Sequence, residues 1–195
     1  MSPAEIERAA QGRPIIPWRG EVWRSHAPKY RADDTAGSRL FTGRYNRGLD
    51  LYPAAAAWDT LYAAGEVWEA LYTGLSFGIC LAELLRHLST VTLQAKLKAQ
   101  LTQLRVDLSA VLDCSDLIAL GVPKDNLLHD TDYSTAHALA RAARTRGCEG
   151  LLVPSAADIP GEEGCVLIVF PDLLQPGSAV RIIRALTPNL GTGIS

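Results

Sequence analysis

Five side chains, far apart in the chain and set near the ends of expected elements, have the types that could do chemistry together: Arg44, Tyr45, Tyr72, Glu83 and Ser155. Arg44 carries a planar fork of donors suited to phosphate or carboxylate; the plainer reading is a solvated charge in a turn. Glu83 is an acid at the edge of an apolar stripe, which is costly unless something pairs with it. It either serves a site or pairs along its own helix with Arg86 or His87, worth only ~0.2–0.5 kcal/mol. Tyr72 is either half-buried packing or a ring on a site wall. Ser155, after Val153-Pro154, is a turn or cap residue or a hydroxyl that orients a neighbour.

Other chemistries lack their residues. There is no phosphate-binding glycine loop with lysine, no H-E-x-x-H and no G-x-S-x-G. The four histidines have no motif around them. Cys80, Cys114, Cys148 and Cys165 are scattered without a C-x-x-C pair, so buried reduced thiols are expected and a metal site is not.

The elements that would position these residues follow from pattern. Ala70-Leu71-Tyr72-Thr73-Gly74 reads as a short strand, and Ser76 as the N-cap of a helix running to Leu88. Phe77, Cys80, Leu81, Leu84, Leu85 and Leu88 form that helix's apolar stripe, with Glu83 beside it. Residues 13–17 are an extended lead-in, 18–24 a first strand and 27–39 a loop. Leu40 to Thr42 begins a short strand that opens into the glycine-bracketed turn Gly43-Arg44-Tyr45-Asn46-Arg47-Gly48. Residues 53–69 read as a helix, packed on the body of the domain or closing over a pocket as a lid. A second helical pattern covers 93–104, and a strand follows at 106–112. A brief helix is expected at 117–120, and an alanine-rich helix capped by Asp132 at 133–146. Buried strands at 150–154 and 165–170 are separated by a turn-rich link, and an edge strand lies at 180–183. The irregular mixture of helices and strands fits a single α+β domain better than a doubly wound sheet.

The 195 residues are 48% hydrophobic and 21% charged, a globular balance. A net charge of −2 and a pI near 6.1 supply no electrostatic reason to expect nucleic acid or an anionic membrane as a direct partner. No apolar run approaches the ~20 residues of a membrane span, and no signal-peptide pattern opens the chain, so a cytoplasmic protein is expected.

Taken together, Gly43-Arg44-Tyr45-Asn46-Arg47-Gly48, Ala70-Leu71-Tyr72 eleven positions before Ala82-Glu83, and Gly150-Leu151-Leu152-Val153-Pro154-Ser155 ahead of a Val-Leu-Ile-Val-Phe-Pro strand resemble the RES-domain family. Arg44, Glu83 and Ser155 match the arginine, glutamate and serine of its name; Tyr45 and Tyr72 match its two aromatic positions. The resemblance spans residues 20–175 or so, within a domain expected over 18–187, between an N-terminal extension at 1–17 and a tail at 188–195. It departs where Gly48 falls one place early, where residues 53–69 enlarge the segment before Tyr72, and where Ala156-Ala157 replace a basic residue after the serine.

The resemblance implies an ADP-ribosyltransferase-like fold of split mixed β-sheets with flanking helices. It further implies a toxin of a toxin–antitoxin pair that consumes NAD+, as a glycohydrolase or, with inorganic phosphate, a phosphorylase. NAD+ would be substrate, with no resident cofactor or metal, and an Xre-type antitoxin protein would be the partner. Glu83 would stabilise positive charge on the ribose, Arg44 would hold a phosphate, Tyr45 and Tyr72 would flank the nicotinamide, and Ser155 would orient Glu83 or the ribose. Transfer of ADP-ribose to a protein, or a non-enzymatic partner-binding domain, are the alternatives.

Overall fold

The computed structural model describes residues 1–52, 58–86, 99–129, 132–157 and 164–186. In chain order the elements are α1 (Pro3–Gln11), β1 (Ile15–His26), α2 (Ala36–Leu40), a 3₁₀ turn (Leu49–Leu51), α3 (Trp58–Ala63), β2 (Leu71–Gly74), α4 (Phe77–Arg86) and β3 (Gln100–Asp113). They continue with α5 (Leu117–Leu120), α6 (Lys124–Leu128), α7 (Ser134–Thr145), β4 (Gly150–Pro154), β5 (Cys165–Val169), a second 3₁₀ turn (Pro171–Leu173) and β6 (Ala179–Leu186).

The strands form two antiparallel halves joined by narrow seams. In one half, β1 pairs with β3 from Ile15 opposite Leu112 to His26 opposite Gln100, and β6 pairs along the other side of β3. In the other, β2, β5 and β4 lie side by side. One seam is a single pair, Trp23 with Gly74. The other is the parallel pairing of Val111–Asp113 with residues 150–152. Parallel strands need a long crossover, which α5, α6 and α7 supply. This is an α+β domain with a split mixed sheet and flanking helices.

The core divides the same way. Val22, Leu71, Leu104, Val106, Leu108, Val111 and Leu167 pack between the halves. On the outer face of the second half, α7 lays its small buried stripe, Ala136, Leu139, Ala140 and Ala143, and is backed by Ile6 and Ala10 of α1. A third cluster, Trp23, Cys80 and Leu101 with Leu81 and Leu84, sits under α4.

Several expectations change. The N-terminal extension at 1–17 carries structure of its own: Ser2 and Glu5 close a capping box on α1, whose Ile6 and Ala10 are buried, and the extended lead-in at 13–17 runs into β1 from Ile15. In the pattern read as helix over 93–104, Gln100–Leu104 are the beginning of β3, because pairing with β1 and β6 on both sides overrides the helical spacing of Leu101 and Leu104. Residues 93–98 lie outside the described set. Leu40 ends α2 rather than starting a strand, and α2 falls in part within the expected loop. Of the helix expected over 53–69, residues 58–63 are helical, Gly65 turns the chain at φ +70°, and Arg47 bridges to Trp68; 53–57 lie outside the described residues, as do His87, Leu88, the link over 158–163 and the tail from 187. The helix, turn and strand around Glu83, the 117–120 helix, β4 and β5 stand as expected. The α7 helix also forms, but Tyr133 rather than Asp132 holds its N-cap position, while Asp132 Oδ1 accepts the Ser134 N–H. Edge strand β6 is longer than 180–183, running from Ala179 to Leu186.

Candidate active site

The cleft opens where the two sheet halves are held by one residue pair. Trp23 and Ser25 of β1 line it opposite Tyr72, Thr73 and Gly74 of β2, and Cys80, Glu83 and Leu84 of α4 form its floor. Gly43, Arg44, Tyr45 and Tyr133 close one side. The cavity is about 350 Å³, within the ~300–1,000 Å³ usual for small-molecule sites.

Glu83 reaches the cleft because α4 is fixed at its start and pressed against β2. Ser76 Oγ accepts the Ile79 N–H at 3.1 Å, satisfying one orphan donor of the first turn. Gly74 permits the approach: a Cβ there would lie 2.7 Å from the Cys80 nitrogen. The carboxylate then meets the turn after β4. Its Oε1 accepts from Ser155 Oγ at 2.6 Å, from the Ala156 N–H at 2.7 Å and from the Ala157 N–H at 3.1 Å. Oε2 has no hydrogen-bond partner among the described residues. Ser155 is itself 4% exposed and is tied to the start of β5 by its N–H to the Gly164 carbonyl at 2.7 Å. One oxygen is thus clamped and the other is left for the cleft.

Arg44 projects from a turn on the far wall. Its Nη1 donates to the Leu127 and His129 carbonyls, at 2.5 and 3.0 Å, and the guanidinium stacks 5.4 Å from the Tyr133 ring centroid. This three-point seat fixes the plane of the charge in the cleft wall. Tyr72 Oη accepts the Tyr45 N–H at 2.7 Å and donates to Asn46 Oδ1 at 2.8 Å. Burial pushes its phenol well above the ordinary value, so the hydroxyl keeps the proton it donates. Tyr45 is only 2% exposed; its ring tilts against Tyr72 with centroids 6.1 Å apart, and little of it reaches the cleft. Burial raises its phenol too.

The structure therefore brings Arg44, Tyr45, Tyr72 and Glu83 to one cleft, with Ser155 directly behind Glu83. Other contributors escape a reading of side-chain types. The Ala156 and Ala157 donors are main-chain, so no residue identity announces them; they also make a basic side chain there unnecessary for holding Glu83. Tyr133 and Trp23 enter the cleft from elements that carry no motif. His137 supports the site from behind: in the tautomer with its proton on Nε2 it donates to the Gly43 carbonyl at 2.9 Å, and burial lowers its pKa. No described residue of α3 lines the cleft, and Tyr62 is bonded instead to Asp172, which Arg144 grips with two hydrogen bonds. Tyr62 ties the described part of this segment to the 3₁₀ turn at Pro171–Leu173. Among the described residues no group of three or more His, Cys, Asp or Glu could hold a metal, and no helix is long and apolar enough to cross a membrane.

Comparison with known proteins bears on the fold and the family. The crystal structure of the M. tuberculosis MbcT–MbcA toxin–antitoxin complex contains a chain similar in fold, with a TM-score of 0.69 and 22% identity, over 93% of this chain and 91% of that one. A search of curated proteins found no match. The model of the RES domain matches residues 21–188, which is most of the chain and contains all five candidate residues. The chain belongs to the RES-domain family.

Proposed function

We propose that this protein is the toxin of a toxin–antitoxin pair and that it breaks the N-glycosidic bond between nicotinamide and ribose in NAD+. Membership of the RES family and the likeness in fold to a chain of the MbcT–MbcA complex support the toxin role. The observation that carries the chemistry is a carboxylate with one oxygen clamped by three donors and the other facing a cleft that also holds a guanidinium.

In that reaction the C1′–N bond breaks heterolytically. The electron pair leaves with nicotinamide, and positive charge develops on the ribose. Nicotinamide leaves as a neutral molecule, so the site needs positioning and charge more than acid catalysis. Glu83 Oε2 faces the ribose and stabilises that charge; Ser155 and the two amides hold the carboxylate still while it does so. Arg44 takes a phosphate of the dinucleotide. The Tyr72 ring, with Tyr45 behind it, and the apolar wall of Trp23, Cys80 and Leu84 give the nicotinamide a flat dry surface. Water or inorganic phosphate then adds at C1′. No second carboxylate lines the cleft among the described residues, so a covalent glycosyl-enzyme is not part of the reading.

The same reading makes NAD+ a substrate rather than a resident cofactor. It puts the protein in the cytoplasm and gives it an Xre-type antitoxin as protein partner. Incubating the purified protein with NAD+, with and without inorganic phosphate, tests the reaction. Free nicotinamide together with ADP-ribose or its phosphorylated counterpart is the expected result. No release at stoichiometric enzyme overturns it in favour of a binding domain, and label from NAD+ appearing on protein in a cell extract overturns it in favour of a transferase.

A further inference from the structure

The turn bearing Arg44 is fastened more firmly than a surface turn requires, and the fastening converges on two side chains. Asn46 is 2% exposed and engaged at both ends of its amide: Nδ2 donates to the Ser38 and Phe41 carbonyls at 2.6 and 2.8 Å, and Oδ1 accepts from Tyr72 Oη at 2.8 Å. Tyr72 Oη also accepts the Tyr45 N–H at 2.7 Å, so one hydroxyl bonds to the residues one and two places after Arg44. Gly43, immediately before Arg44, lies beneath this pair. A Cβ there would sit 2.6 Å from Asn46 Oδ1 and 2.8 Å from Tyr72 Oη, so the two groups close over a position only glycine can fill without displacing them. From the other side Trp68 Nε1 donates to the Tyr45 carbonyl at 2.8 Å.

We propose that Asn46 is a positioning residue. With the Tyr72 hydroxyl it forms a clasp that sets the backbone of residues 43–46 and, through it, the direction of the Arg44 guanidinium. A buried amide with both donors and its oxygen engaged is a rigid part, and a buried one left unsatisfied is destabilising. A turn without the clasp still carries Arg44 but no longer delivers its guanidinium squarely to the seat made by the Leu127 and His129 carbonyls and the Tyr133 ring. Tyr72 then has two separable parts, a ring on the cleft wall and a hydroxyl that never meets substrate.

The kinetic consequence rests on the NAD+ reading above; the structural one does not. Tyr72→Phe removes one oxygen and keeps the ring, so it is the variant that folds most safely. Its KM for NAD+ is expected to rise about tenfold, the net worth of one or two hydrogen bonds, with kcat within about threefold. Asn46→Ala should give the same direction of change, and the double variant should be no worse than the poorer single one, because both break one clasp. Hydrogen exchange supplies a readout without substrate: the Tyr45 amide should lose about tenfold or more of its protection in Tyr72→Phe while the Leu167 amide on β5 keeps its own. If Tyr72→Phe leaves both KM and the Tyr45 amide unchanged, or if the two single effects simply add, the clasp is wrong. If the wild type releases no nicotinamide, the NAD+ reading fails, and the Tyr45 exchange result still decides the clasp.

Discussion

Two carboxylates, Glu83 and Glu149, are each held by a serine hydroxyl and neighbouring backbone amides, yet they are different kinds of residue. Glu149, between α7 and β4, is 0% exposed. Its Oε2 accepts from the Ser109 N–H, the Ser109 hydroxyl and the Ala110 N–H at 2.6, 2.8 and 3.0 Å, and its Oε1 accepts from the Gln175 N–H at 2.7 Å. Both oxygens are engaged, and the side chain bolts β3 to the loop that leads into β6. Glu83 uses the same vocabulary on one oxygen only, and the cleft begins at the other. A carboxylate saturated with donors belongs to the fold; one that is half saturated and faces a cavity is free to act. The type of the residue does not distinguish them; the count of donors and the side they come from do.

Breaking the saturated cluster should give the largest change. Glu149→Ala strands several buried donors and should lower unfolding stability by about 3 kcal/mol, measured by urea denaturation, with nicotinamide release per folded molecule unchanged. Burial pushes the Glu149 carboxyl up, but the Gln175 N–H, Ser178, Ser109 and the Ala110 N–H together outweigh it and leave the pKa below the ordinary 4.5. A lowered carboxyl contributes its stability in full above 4.5 and loses it as pH falls from there through the folded-state value. Urea midpoints for the wild type and Glu149→Gln should therefore converge as pH is lowered through that window and stay apart above it.

On the half-saturated side, Ser155→Ala removes one of three donors to Glu83 Oε1 and loosens the carboxylate without exposing it. Nicotinamide release should fall about tenfold while stability drops by ~1 kcal/mol or less. Its mirror, Ser109→Ala, leaves Glu149 three backbone donors and should cost about 1 kcal/mol of stability with no kinetic effect. Should Ser109→Ala slow the reaction as Ser155→Ala does, the division between the two regions is lost.

Much of the Glu83 region was legible because its signals are local. Ser76 caps α4, the apolar stripe follows at helical spacing, and Val153-Pro154-Ser155 ends a buried strand. Where residue pattern and structure part, distant pairing decides. Leu101 and Leu104 suit a helix face as well as a strand, and only the pairing of β3 with β1 and β6 chooses between them. The α1 helix differs, since its signal is local: Ser2, Pro3 and Glu5 carry a complete capping pattern. In the site, the amides of Ala156 and Ala157 leave no trace in residue type, and Asn46 could be noticed in its turn without revealing that Tyr72, across the cleft wall, completes it.

The half-saturated carboxylate is tested most directly by Glu83→Gln, which keeps size and Oε1 while removing the charge. Initial rates of nicotinamide release should fall by about 100-fold or more, with a urea midpoint close to that of the wild type. Release at the wild-type rate from a folded Glu83→Gln protein would contradict the account.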